Sequence, residues 1–158
     1  MDSDSIKAAV MELLGDVKYE ARLVGETFRP DDWRCDQWSV TFTGKVTERF
    51  DYFTGIGNRK LGWPLPANRP RPGTVMHEEM LKTAKPVAPH AAEVLHSLLA
   101  DGAGADQLFD DWCADFGYDS DSRKALATYL ACQENAIKLR RVFHHKTLTA
   151  LETALQDY

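Results

Sequence analysis

The sequence predicts an α+β fold: an N-terminal helix and a three-stranded antiparallel sheet, followed by a long Pro-rich loop and a C-terminal helical bundle. Three observations carry this reading. Between Val17 and Thr54, apolar residues recur at every second position, the period of a half-buried strand. Before Val17 and after His90 they recur at three and four, the period of an amphipathic helix. Between these regions, from Gly55 to Pro89, lie six of the seven prolines and four of the ten glycines. Each proline removes a backbone donor and restricts its predecessor, so most of this stretch cannot be regular. One domain is expected over residues 1–158, with helix plus sheet over 1–54, the connection over 55–89 and the helical part over 90–158.

The first helix is expected at Ser5–Leu14, where Ile6, Val10, Leu13 and Leu14 share a face. Ser3 or Ser5 would cap it and Gly15 would end it. Val17, Tyr19, Ala21 and Leu23 alternate with Lys18, Glu20 and Arg22, giving a first strand over Val17–Phe28 that Arg29-Pro30-Asp31-Asp32 breaks. Trp38, Val40 and Phe42 form the inner face of a second strand. Gly44 marks a turn or bulge, and Thr47–Thr54 gives a third strand with Phe50, Tyr52 and Val46 on one face. Short connections make an antiparallel meander the economical topology.

One short helix is expected inside the irregular stretch, at Val75–Lys82. Beyond it, Ala91–Leu99 carries Val94, Leu95, Leu98 and Leu99 on one face. Asp106–Asp115 carries Leu108, Phe109, Trp112 and Cys113, with Phe116-Gly117 as its C-cap. Asp119-Ser120-Asp121-Ser122 is a dense N-cap region for the longest helix, Arg123–Phe143. Leu126, Tyr129, Leu130, Ile137, Leu139 and Phe143 fall near helical spacing in it. His144-His145-Lys146 reads as a break before a last helix at Thr147–Leu155.

Composition bounds the function. At 158 residues with 44% hydrophobic content, the chain is long enough for one sizeable core. A net charge of −5 disfavours non-specific wrapping of DNA. No apolar run approaches the roughly 20 residues of a membrane span. Asp2 and Asp4 precede the first lysine, which is not the order of a signal peptide, so a cytoplasmic location is expected. Cys35, Cys113 and Cys132 are far apart and form no CxxC pair. They read as buried thiols, not as a zinc site or a disulfide framework.

Charge is segregated along the chain. Asp101 to Asp121 holds seven aspartates and no Lys or Arg. Arg123 to Lys146 holds six basic residues against Glu134 alone, and the Pro-rich stretch adds Arg59, Lys60, Arg69 and Arg71. One explanation is the helix macrodipole, which favours Asp at N-termini and Arg or Lys at C-termini. The other is a pair of contact faces, with Asp106, Asp110, Asp111, Asp115, Asp119 and Asp121 meeting a basic partner. Trp63, between Gly62 and Pro64 and close to these arginines, is either an interface or base-stacking residue or a lid folded over the sheet.

Catalytic motifs fail their context tests. Gly55-Ile56-Gly57-Asn58-Arg59-Lys60 begins like a dinucleotide loop but lacks the third glycine and the following helix. His77-Glu78 begins like HExxH, but the fifth position is Leu81. His90 and His96 are six apart, off the spacing that puts two ligands on one helix face. Asp115, Asp119 and Asp121 do not frame a calcium loop. His144-His145 at a helix break reads as solvated. No catalytic residue, metal or cofactor is assigned.

Two segments resemble small accessory proteins of temperate bacteriophages and prophages. One is Phe50-Asp51-Tyr52-Phe53-Thr54-Gly55-Ile56-Gly57-Asn58. The other runs from Phe109 to Ala125 and continues to Tyr129 and Cys132-Gln133. The likeness spans about Val17 to Phe143. It implies a non-enzymatic inhibitor of a bacterial defence complex, of anti-CRISPR type, acting in the host cytoplasm on a Cas protein or complex. The acidic face would then occupy a nucleic-acid-binding protein surface. The alternative is a nucleic-acid-binding or regulatory phage protein using Arg59, Lys60, Trp63, Arg69 and Arg71. A third reading, a metal-dependent nuclease, requires carboxylates and a histidine to converge in a pocket. No membrane partner is expected, and a homodimer is compatible with the sequence.

Overall fold

The computed structural model describes residues 2–28, 34–60, 73–75, 83–100 and 108–158. Helix α1 spans Ser3–Leu14 and buries Ile6, Val10 and Leu14 along one stripe. Its cap is Asp2, ahead of the two serines expected in that role. The Asp2 carboxylate accepts from the Ser5 backbone N–H at 2.7 Å. A carboxylate at this point meets both the unpaired N–H groups and the positive end of the dipole, and its pKa is lowered below the ordinary value by that bond. Gly15 ends the helix at φ 56°, donating to Glu12 O.

The sheet runs β1 (Lys18–Phe28), β2 (Arg34–Thr43), β3 (Thr47–Gly55), antiparallel and in sequence order. The β2 strand is central, and Asp36, Trp38, Val40 and Phe42 are its buried alternate residues. In β1, Tyr19, Ala21, Gly25 and Thr27 are half-buried, while Leu23 on the same alternation is exposed. Phe50 and Thr54 are the buried residues of β3. Val46 does not join them. It precedes the strand, in the turn where Gly44 N–H donates to its carbonyl at 3.0 Å, and is exposed.

Contacts divide the chain into two units. The first comprises Met1–Glu20, Thr41–Phe50 and His90–Tyr158. Besides α1 it holds α2 (Ala91–Ala100), α3 (Phe109–Phe116), α4 (Arg123–Val142) and α5 (His145–Leu155). Helix α1 packs on α2 and α5, α2 also meets α4 and α5, and α3 packs on α4. The Phe42 ring gathers Tyr19, Phe50 and Phe143 at centroid distances of 5.1, 6.1 and 5.6 Å. These are tilted and edge-on geometries, which aromatic quadrupoles favour.

Helix α4 differs from the sequence expectation. Leu126, Leu130 and Ile137 are exposed. The buried stripe lies one residue round the helix, at Ala125, Ala136, Leu139 and Val142, with Tyr129 and Cys132 half-buried between them. That stripe stays free of charge from end to end, whereas the alternative is interrupted by Gln133 and reaches Arg140. Its alanines also allow close helix approach. The break after α4 is narrower than expected. Phe143 leaves helical geometry, and His144 caps α5 through Nδ1, which accepts from the Lys146 N–H at 3.3 Å.

The second unit comprises Ala21–Val40 and Asp51–Pro89. Trp38 Nε1 donates to Thr54 Oγ1 at 2.8 Å across β2 and β3. The Cys35 thiol donates to Thr27 O at 3.6 Å. A single 3₁₀ turn at Ile56–Asn58 follows β3, and Lys60 and Lys85 then form an isolated antiparallel bridge. The helix expected at Val75–Lys82 lies, apart from Val75, outside the described residues. Among the described residues, no helix is long and apolar enough to cross a membrane.

Candidate functional site

The acidic segment is built on α3. Phe109, Trp112 and Cys113 recur at i, i+3 and i+4 and turn inward, while Phe116 at i+7 is exposed. Trp112 and Cys113 are buried with Ala125 in a small cluster against which Phe109, Tyr129 and Cys132 pack. Asp110, Asp111 and Asp115 occupy the remaining face, exposed. Asp111 and Asp115 are one turn apart, and Asp110 and Asp111 sit in the first turn, where the dipole favours them.

Gly117 ends the helix in the left-handed region at φ 73°, and the Tyr118 N–H reaches back to Cys113 O at 2.9 Å. This is the Schellman arrangement, in which the residue after the glycine folds back on the last turn. It lays Tyr118 flat on Trp112, with centroids 4.9 Å apart and planes within 11°. The chain then passes Asp119, whose carboxylate accepts from the Asp121 N–H at 3.0 Å, and Ser122, which caps α4 by accepting from Ala125 N–H at 3.2 Å. Asp119 and Asp121 are exposed. Burial pushes the Cys113 thiol up, and the carboxylates of Asp110 and Asp119 add to that shift. The thiol is therefore held in its unreactive form. Five of the six acidic candidates thus follow one another along α3 and its exit. Asp106 lies outside the described residues.

Of the basic candidates, Arg59 and Lys60 lie among the described residues. Arg59 is turned into the fold. Its Nε donates to Asp36 Oδ2 at 2.8 Å, its Nη2 donates to Asp36 Oδ1, and Glu26 Oε2 lies 3.3 Å from Nη2. The Arg59 side chain is 10% exposed and that of Asp36 2%. A bidentate fork on a buried carboxylate is a structural bond, and it raises the Arg59 pKa above its ordinary value. Arg34 pairs with the other oxygen of Glu26, extending the chain of charges. The Lys60 side chain is exposed and its backbone is engaged with Lys85. Trp63, Arg69 and Arg71 lie outside the described residues.

Sequence reasoning did not single out Asp36. The signal was present: Asp36 lies two residues before Trp38 on the same alternation as Val40 and Phe42. A carboxylate at a core position of a strand requires a cation.

The histidines are dispersed. His144 and His145 are exposed, His96 sits 5.4 Å from the Tyr158 ring, and His90 caps α2. His77 lies outside the described residues. Among the described residues, no group of three or more His, Cys, Asp or Glu is placed to hold a metal ion. No protein-family model, curated protein or solved structure matches the chain.

Proposed function

We propose that this chain is a non-enzymatic binding protein that occupies a basic, nucleic-acid-binding surface of another protein. The observation that supports the reading is the run of exposed aspartates along α3 and its exit. Asp110, Asp111, Asp115, Asp119 and Asp121 are all exposed, and the segment from Leu108 to Ser122 contains no Lys or Arg. A cluster of exposed carboxylates accelerates encounter with a basic patch and disfavours approach of nucleic acid itself. The resemblance to prophage accessory proteins directs the search to bacterial defence complexes, and to RNA-guided effectors first. Those hold nucleic acid in positively charged channels.

The test is target-DNA binding by purified effector complexes, followed by fluorescence anisotropy with and without the protein. Inhibition by the native chain that is lost in the Asp110→Lys/Asp111→Lys/Asp115→Lys variant, with unchanged circular dichroism, supports the proposal. Equal inhibition by that variant refutes the acidic face, and no inhibition of any effector refutes this target class.

A further inference from the structure

Three turns of the first unit face one another. They are Gly15-Asp16-Val17 between α1 and β1, Gly44-Lys45 between β2 and β3, and Val142-Phe143-His144 between α4 and α5. Together with the end of α4 they line a groove of about 640 Å³. Small-molecule sites typically measure roughly 300–1,000 Å³ and combine an apolar floor with a few convergent polar groups. This groove has both. Leu14, Val142 and Phe143 are buried side chains of its lining, and Leu13 and Val17 are half-buried beside them.

Its charge runs against that of the chain. Lys45, Arg140 and Arg141 line it with one carboxylate, Asp16, in a protein of net charge −5. The macrodipole accounts for Arg140 and Arg141 at the end of α4. It does not account for Lys45, which stands at no helix end and comes from a strand turn far away in sequence. The strand turn and the end of α4 thus bring cations from two separate segments to one groove. Arg141 also approaches Glu48 Oε1 at 3.4 Å, with 61% of its side chain exposed. An ion pair so exposed is weak enough for the guanidinium to turn towards a ligand. His144 and Thr147 add to the polar lining.

We propose that this groove binds a small organic anion, an alkyl or aryl carboxylate or phosphate. The anionic head rests among Lys45, Arg140 and Arg141, and the apolar body lies over Leu14, Val142 and Phe143. The site shares no residue with the acidic face of α3, so the two readings stand or fall separately.

The test is a titration of the full ¹⁵N-labelled chain with octanoate, octyl phosphate, octanol and inorganic phosphate, each to about 1 mM, a concentration that reveals weak specific binding. Octanoate or octyl phosphate is expected to shift the amides of Asp16, Gly44, Lys45 and Thr147. The tighter of the two identifies the head group. Octanol and inorganic phosphate are expected to bind roughly tenfold more weakly or less, since each lacks half of the recognition. The Lys45→Gln/Arg140→Gln variant should lose roughly tenfold in affinity with its circular dichroism unchanged. Absence of shifts at the groove, octanol binding as tightly as octanoate, or inorganic phosphate matching octyl phosphate overturns the proposal. Because the ligand series is read on the native chain, it decides the matter even if the variant folds poorly.

Discussion

Tyr118 lies parallel to Trp112, ring centroids 4.9 Å apart, because Gly117 turns the chain back over the last turn of α3. An eight-residue helix is too short to persist alone in water. Its order comes from Trp112, whose ring also meets Phe116 at 5.3 Å and Tyr129 at 5.6 Å. Trp112→Ala should destabilise the protein by about 3–5 kcal/mol. Tyr118→Ala should lose the stacking contribution of about 0.5–1.5 kcal/mol beyond the area it buries. Chemical denaturation of both variants measures this, and a Tyr118→Ala midpoint equal to that of the native chain would contradict the stack's role.

The Arg59–Asp36 pair gives a second expectation. Arg59→Leu strands a buried carboxylate and should cost about 3–5 kcal/mol. Replacing both partners, as Asp36→Leu/Arg59→Met, should recover most of that loss, because the desolvated charges go together. A double-mutant cycle read by urea unfolding checks the recovery. If the double variant is no more stable than Arg59→Leu, the pair is not what holds these residues in place.

Gly44 is required by proximity. A Cβ built there would lie 2.9 Å from the Val142 carbonyl and 3.4 Å from Val17 Cγ2. Gly44→Ala must push the β2–β3 turn away from the end of α4, at an overpacking cost of about 1–3 kcal/mol. Lys45→Ala, one residue on and exposed, should stay within about 0.5 kcal/mol of the native chain. Thermal unfolding of the two variants side by side is the measurement.

His90 makes stability depend on pH. Its Nδ1 accepts from Ala92 N–H at 3.0 Å. Burial, followed by the nearby Lys7 cation, lowers its pKa below the ordinary 6.5, against a smaller opposing pull from Glu93. The unfolded chain therefore takes up this proton at a higher pH than the folded one. The contribution is complete above pH 6.5 and declines as pH falls from there through the lower folded value. His90→Asn keeps an acceptor for the cap and removes the titration, so its stability should change less than that of the native chain over the same acidic interval. Parallel pH dependence of the two proteins would show that His90 is not responsible.

Where one periodicity dominates, the sequence was a sufficient guide. The even-numbered residues of β2, the stripe of α1 and the Phe116-Gly117 stop are all local patterns, and the structure places them as expected. The α4 helix was harder because two apolar stripes lie one residue apart, and only packing against α2, α3 and α5 chooses between them. Arg59 was misleading for a related reason. An arginine beside glycines and prolines looks like surface, and its true partner is 23 residues earlier, on β2. Of the acidic segment, the exposure of its aspartates followed from the inward face of α3. The Tyr118 stack was not foreseen, since it depends on the path after Gly117 and not on helical spacing.

Lys60 and Lys85 exchange both of their backbone hydrogen bonds, at 2.8 and 2.7 Å. The bridge thus holds side by side two residues that are 25 apart in sequence. Bringing two such distant residues together costs entropy that grows only logarithmically with their separation, about 0.6 kcal/mol for each doubling. Losing one of the two donors, as in Lys85→Pro, should therefore release that closure.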